Sequence, residues 1–490
     1  MDPLTHTARS LAAAIRDRTI SSREVLDAHL ARIDALNPTI NAVVTVDAER
    51  AQGAAAAADD ATARGVCWGP LHGVPMTVKD VWETAGLRTT SGAPEFADHV
   101  PDHDAVAVAS LRSAGVVIFG KTNTPLYAGD VQTYNDLFGI TSNPWDLTRT
   151  TGGSSGGAAA AVATSMTPLE LGSDIGGSIR NPAHYCGVYG LKPTWGLIPT
   201  RGHIPGPPGT LVDTDVNCAG PLARSVDDLA LAFEVLAGRD PIHSPVWSLT
   251  LPPPRRHSDV TGLRIAVVLD DAGFPTSEAT RSLFRAAADA LSDAGAAVEE
   301  VALPVSMDEM FRSWQALVLP VIGSGLPDDL YDAFAAISAD QPDDAAGRSS
   351  AALVSTWRTW RRATQRRALQ RLRWAEHFER WDLVMAPVTP VPAFPHDVET
   401  PMPMRSFDLD GSPRPHLDQL VAWCGAIGAM LLPVVALPLG LSTASTPSAP
   451  IGMPIGAQLI AADGHDLDLL AMAAVVDEVI GGYVPWRLPA

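Results

Sequence analysis

Three polar side chains in glycine-rich settings can do acyl-transfer chemistry: Lys79, Ser154 and Ser178. Lys79 closes the apolar run Val74–Val78 in the segment Leu71-His72-Gly73-Val74-Pro75-Met76-Thr77-Val78-Lys79-Asp80. A lysine ending an apolar strand tends toward burial. Burial disfavours the ammonium, lowers the pKa toward neutrality and leaves an amine that can accept a proton. The residue is equally readable as a surface lysine paired with Asp80. In Gly172-Ser173-Asp174-Ile175-Gly176-Gly177-Ser178-Ile179-Arg180 the two central glycines let the backbone turn with its N–H groups aimed at one point, which is how main chain builds an oxyanion hole. Ser178 follows at once, and Asp174 and Arg180 flank the turn and can pair to hold it. Taken alone, the segment also reads as a glycine-rich turn before a helix. A serine is a poor nucleophile without a base, so the two segments gain meaning together.

Two other glycine motifs compete. Gly115-Val116-Val117-Ile118-Phe119-Gly120-Lys121-Thr122 fits the phosphate-loop string, but its interior is an apolar strand. A phosphate cradle needs small or polar residues there and a helix after the lysine, and Asn123-Thr124-Pro125 blocks one. Gly152-Gly153-Ser154-Ser155-Gly156 satisfies G-x-S-x-G around Ser154. A nucleophile elbow needs a strand directly before its serine, whereas residues 143–148 read as turn-like.

The elements that must position these groups alternate along the chain. Residues 5–36 carry apolar positions at helical intervals, stopped by Asn37-Pro38, and residues 47–64 are alanine-rich and helical. Val74–Val78 and Val116–Phe119 read as buried strands and Ala158–Thr164 as a buried helix. Residues 239–259 are a proline-rich surface connection. Leu263–Leu269 reads as a strand, Thr276–Ala294 as a helix and residues 340–348 as a loop. Leu383–Ala386 reads as a strand, residues 386–415 as irregular, Leu432–Leu437 and Ile455–Ile460 as a strand pair, and Leu467–Val479 as a closing helix. Intermixed strands and helices predict an α/β architecture.

The chain has 490 residues, 46% hydrophobic and 18% charged, which is the balance of a folded globular protein. Its formal net charge of −20 disfavours a nucleic-acid partner. Cys67, Cys186, Cys218 and Cys424 are scattered and suggest neither a zinc site nor a disulfide framework; they read as small buried residues in a reducing compartment. With no apolar leader over residues 1–18 and no run long enough to span a bilayer, the expectation is a cytoplasmic protein without stable membrane insertion.

Together these segments resemble the amidase signature family of Ser–cisSer–Lys hydrolases, of the free-standing type. The resemblance runs through Gly73–Asp80, Phe119–Asn123, Gly139–Asp146, Gly152–Gly157, Gly172–Arg180, Cys186–Thr194 and Gly220–Ser225, with weaker matches at Asp382–Pro387 and Gly452–Gln458. It implies one large α/β domain over residues 1–490, a mixed central sheet wrapped by helices. Within it, residues 1–65 would form N-terminal helices and 66–238 the catalytic core. Residues 239–380 would be a peripheral helical region, and 381–490 would complete the core. Carried over position by position, Ser178 matches the nucleophile, Lys79 the base, and Ser154 the relay, preceded by a cis peptide from Gly153. Ile175, Gly176, Gly177 and Ser178 match the oxyanion donors. Ser173 matches a hydroxyl that orients the lysine, with Ser155, Asp174 and Arg180 in support.

The implied reaction is hydrolysis of an aryl, aliphatic, cyclic or oligomeric amide to acid plus amine or ammonia, with no metal or cofactor required. Carbamates and esters are open to the same triad. The family also contains glutamine-hydrolysing amidotransferase components that release ammonia for a partner; the run from Trp195 to Pro208 departs from that subgroup. Tyr127, Trp195 and His203 lie near catalytic segments and are candidates to line the substrate pocket. The small-molecule amide is the expected partner, and homo-oligomerisation stays open. Residues 357–381 gather eight arginines and four tryptophans. They read either as a basic amphipathic helix for a membrane or acidic partner, or as a surface helix paired with the protein's own carboxylates.

Overall fold

The computed structural model describes all residues except 205–210, 239, 243–245, 247, 256, 342–344, 444–449 and 488–490. Eleven strands form its central sheet. In chain order they are β1 (Val43–Val46), β2 (Pro75–Lys79), β3 (Val117–Thr122), β4 (Leu169–Asp174), β5 (Tyr189–Lys192) and β6 (Cys218–Ala223). They continue as β7 (Arg264–Val267), β8 (Ala297–Glu300), β9 (Leu383–Pro387), β10 (Val434–Leu441) and β11 (Pro454–Ile460). Their spatial order is β1-β3-β2-β4-β6-β5-β10-β11-β9-β7-β8. The pairs β3–β2, β2–β4, β9–β7 and β7–β8 are parallel and the others antiparallel, so the sheet is mixed as expected.

Strands β2, β3, β4 and β6 are buried at every position, as in a sheet covered on both faces, and β2 and β3 hold most of the apolar runs Val74–Val78 and Val116–Phe119. The largest apolar cluster includes Trp82, Phe233 and Val476; a second includes Trp314, Trp374 and Trp423. Burying a ring of that size contributes roughly 3 kcal/mol each from area alone. Four helices matter for the site: α1 (Gly156–Ala163), α2 (Met307–Ser324), α3 (Trp357–Arg380) and α4 (His416–Ala429). Every residue of α1 is buried, and its run of alanines lets it lie close to the sheet.

Several expectations are corrected. Asn37-Pro38 does not stop the second helix, which spans Ser22–Ile40. Leu36 and Ile40 are buried, and their packing carries the helix through the proline. The end comes at Asn41 in the left-handed conformation, while Asn37 Oδ1 accepts the N–H groups of Ala42 and Val43. Residues 143–148 are not simply turn-like: Ser142–Asn143 and Asp146–Thr150 form a small antiparallel ribbon. Residues 386–415 contain another, Ser406–Leu409 with Ser412–Pro415. The region 239–380 is helical from Met307 onward, but its earlier part supplies β7 and β8 to the central sheet. Part of the proline-rich connection lies outside the described residues, as do residues 342–344 of the expected loop over 340–348. The rest of that loop is mostly helix, since Asp340 ends the helix Asp328–Asp340 and Ala345 opens the helix Ala345–Leu353. Of the four cysteines, Cys67 is exposed and the other three are buried. No helix among the described residues is long and apolar enough to cross a membrane.

Candidate functional site

Strand β2 ends on Lys79, β4 ends on Asp174, and the two strands are parallel neighbours. Their C-terminal ends therefore deliver the lysine and the glycine turn to one place. Lys79 Nζ lies 2.6 Å from Ser154 Oγ and 3.0 Å from Ser173 Oγ, and its side chain is fully buried. Burial lowers the Lys79 pKa to about 7; Asp174 and Glu170 pull the other way without overcoming it. This excludes the reading of Lys79 as a surface lysine.

The Gly153–Ser154 peptide is cis, as the resemblance implies. Ser155 ties this segment to the turn twice. Its amide N–H donates to the carbonyl of Ser178 at 3.1 Å, and its hydroxyl to the carbonyl of Ser173 at 3.3 Å. Ser154 and Ser178 are thereby held on neighbouring backbone segments.

Asp174 organises the turn from below. One carboxylate oxygen accepts the Gly177 N–H at 2.8 Å; the other accepts the N–H groups of Ile179 at 3.1 Å and Arg180 at 3.4 Å. Arg180 adds Nε–Oδ2 and Nη2–Oδ1 bonds, and its Nη1 reaches Gln458 Oε1 at 3.0 Å. Burial raises the Asp174 pKa, but the Arg180 charge and these hydrogen bonds outweigh it and hold the carboxylate at about 2. This geometry corrects one expectation. The Gly177 N–H is spent on Asp174 and does not face the site. Among the described residues, the N–H groups of Ile175, Gly176 and Ser178 have no protein partner. Three of the four expected donors thus keep an N–H that no protein group claims among the described residues.

A second polar layer lies beneath Lys79. Lys121 is buried, not a phosphate-loop lysine; it donates to the Trp82 carbonyl, to Thr84 Oγ1 at 3.0 Å and to Thr89 Oγ1 at 3.2 Å. Glu170 accepts from the hydroxyls of Thr77 and Thr122, and burial raises its pKa to about 8. Asp80 bonds to Thr90, not to Lys79.

The three pocket candidates fare differently. His203 packs edge-on against Trp82 at 4.6 Å, and burial, then the Lys79 charge, lowers its pKa to about 3. It is a neutral ring near Lys79. Tyr127 is exposed, with its hydroxyl on Glu95. Trp195 donates from Nε1 to the Thr214 carbonyl at 3.2 Å. Among the described residues none of the three bonds to Lys79, Ser154 or Ser178. The side chains against the turn are ones the sequence did not flag. A Cβ placed on Gly176 would lie 2.9 Å from the Trp314 ring and 3.4 Å from Val421; one on Gly177 would lie 2.6 Å from Cys424 Cβ. No local motif announces them, because α2 and α4 bring them from far along the chain.

A model of the amidase family matches residues 24–470. The A subunit of glutamyl-tRNA(Gln) amidotransferase from Acidothermus cellulolyticus is 38% identical over 440 residues, covering 84% of this chain and 86% of that one. The structure of 6-aminohexanoate cyclic dimer hydrolase complexed with substrate superposes with a TM-score of 0.76 at 29% identity, covering 98% of each chain. A bacterial aryl acylamidase of the amidase signature family superposes with a TM-score of 0.79 at 26% identity, covering 97% of this chain and 96% of that one.

Proposed function

The chain belongs to the amidase family, and on that premise we propose that it hydrolyses the C–N bond of a carboxylic acid amide through an acyl-enzyme on Ser178. The observation that carries this reading is the buried Lys79 amine 2.6 Å from Ser154 Oγ. Near neutral pH about half of such an amine is uncharged and able to accept a proton.

Ser178 Oγ attacks the carbonyl carbon while its proton passes to Ser154, whose own proton passes to Lys79 Nζ. Negative charge gathers on the carbonyl oxygen and meets the N–H groups of Ile175, Gly176 and Ser178. The C–N bond then breaks, and Ser154 protonates the departing nitrogen and is resupplied by the Lys79 ammonium. Without that proton the leaving group would be an amide anion. Water enters, loses a proton by the same relay, and its attack on the ester releases the acid and restores Ser178. Ser173 orients Lys79 throughout. Carbamates and esters fit the same steps.

Two substrate readings each have support. The identity to the A chain of an amidotransferase favours a glutamine-hydrolysing component that works with partners. That weighs more than the departure of the Trp195–Pro208 run, whose last four residues, 205–208, lie outside the described part. The apolar side chains of Trp314 and Val421 against the turn favour an uncharged acyl group, as in a free-standing amidase. Ammonia release from glutamine, set beside turnover of anilides and aliphatic amides, decides between them. The chemistry itself is tested by mass spectrometry after a serine-directed acylating probe. Label on Ser178, lost in Ser178→Ala, is expected; label elsewhere, or full amidase activity of that variant, overturns the assignment.

A further inference from the structure

The peptide unit joining Ile175 to Gly176 carries two groups that matter: the Ile175 carbonyl and the Gly176 N–H. In a planar trans peptide these point in opposite directions. Trp314, 139 positions away on α2, donates its indole N–H to the Ile175 carbonyl at 2.8 Å. A donor that holds the carbonyl on one side aims the N–H to the other, and the Gly176 N–H is one of the three donors without a protein partner among the described residues.

The indole is itself tightly held. It stacks on Phe311 with centroids 5.6 Å apart and planes 7° from parallel. It is also wedged between two glycines. A Cβ would fall 2.9 Å from the ring at Gly176 and 3.1 Å from it at Gly425 on α4. The first distance is too short for a real side chain, and the second is tight enough that the ring would have to shift by a few tenths of an ångström, so both glycines make room for this ring. A carbonyl that accepts a hydrogen bond also polarises its peptide and strengthens the N–H on the far side as a donor.

We propose that Trp314 is a positioning residue for acyl transfer, holding the Ile175 carbonyl so that the Gly176 N–H points at the developing oxyanion. The inference rests on Ser178 being the nucleophile. It gives the peripheral helix α2 a part in the chemistry, although α2 contributes no reacting group.

The test compares wild type with Trp314→Phe, which keeps a ring and removes the donor. Para-nitroacetanilide is the substrate. Benzyl trifluoromethyl ketone is the oxyanion probe: Ser178 Oγ adds to its carbonyl carbon, the hydroxyl proton goes to the Ser154–Lys79 relay, and the ketone oxygen becomes the oxyanion. In Trp314→Phe, kcat is expected to fall about 10- to 100-fold. KM should hold within about twofold, and ketone affinity should fall by the factor seen in kcat. A merely structural contact would not weaken the ketone in step with kcat. Folding is checked by circular dichroism. If Trp314→Phe does not fold, Gly425→Ala takes its place, since its Cβ, 3.1 Å from the indole, pushes the ring by a few tenths of an ångström; a smaller loss with the same kcat-against-KM split is expected. A folded variant with parental kcat and parental ketone affinity overturns the proposal. Wild type that takes no serine-directed label on Ser178 would instead sink the functional reading beneath it.

Discussion

Asp174 and Arg180 grip each other through two hydrogen bonds, Nε–Oδ2 at 3.0 Å and Nη2–Oδ1 at 2.8 Å, with neither side chain exposed. The carboxylate also holds three backbone N–H groups of the turn that carries Ser178. Arg180→Met removes the countercharge and leaves a buried anion, so it should destabilise the fold by about 3–5 kcal/mol and abolish most activity. Urea unfolding and amidase assays check both. The pair also sets acid sensitivity. The folded carboxyl titrates at about 2, below its ordinary value of about 4, so its contribution to stability is full above pH ~4 and is lost as pH falls toward 2. A variant that unfolds in acid at the same pH as wild type would contradict this.

Lys79 predicts two pH profiles of different shape. The uncharged amine is the working form, so kcat/KM should rise about tenfold per pH unit below 7 and level off above it. Stability follows from the same shift. The folded lysine loses its proton near 7 and the unfolded one near about 10.4, so between those values the unfolded chain binds more protons and stability rises with pH. Lys79→Met should therefore be inactive yet more heat-stable than wild type below pH 7, with that advantage shrinking toward pH ~10. Melting temperatures across the range test it; a constant difference would exclude the depressed lysine.

Gly177→Ala should fail for reasons of backbone and of space. Gly177 has φ +116°, which costs a side-chain-bearing residue strain, and the new methyl would lie 2.6 Å from Cys424 Cβ. The turn must shift, and its N–H groups with it. A loss of at least about 100-fold in kcat is expected. Trimming Cys424 to glycine should recover only part of it, because the torsional strain remains. Full recovery in Gly177→Ala with Cys424→Gly would show that crowding alone was at fault.

How far the sequence can be read depends on how local each signal is. The buried strand that ends on Lys79 is legible because its continuous apolar run leaves few alternatives, and the glycine turn because its chemistry lies within one short segment. The strand that ends on Asp174 is not, because Glu170, Gly172 and Ser173 interrupt it. The ribbon at Asp146–Thr150 escapes notice because Asn143-Pro144-Trp145 carries a strong turn signal that hides two very short strands. Pro38 misleads because buried Leu36 and Ile40 outweigh one lost helical hydrogen bond. The Gly177 N–H reads as an oxyanion donor because only coordinates reveal that Asp174 claims it. Trp314, Val421 and Cys424 are illegible for a simpler reason. Each reaches the turn from a distant helix, and no spacing within one chain segment encodes that meeting.

Helix α3 offers a last test, because its arginines differ in burial and so in what their loss should cost. Arg367 bonds to both oxygens of Asp215, at 2.9 and 3.1 Å, and these side chains are only 10% and 13% exposed. Arg371 pairs with Asp463 where the side chains are 33% and 49% exposed. Removing a cation from a largely desolvated pair strands its partner, whereas an exposed carboxylate is simply rehydrated. Arg367→Met should therefore cost about 2–4 kcal/mol and Arg371→Met less than about 1 kcal/mol. In a double-mutant cycle, Asp215→Asn should remove much of the Arg367→Met penalty, since no buried charge is then left alone. Chemical denaturation of the four proteins measures this. Equal costs at Arg367 and Arg371 would mean that the helix is held by its apolar stripe around Trp374 alone, and that its arginines are interchangeable surface charges.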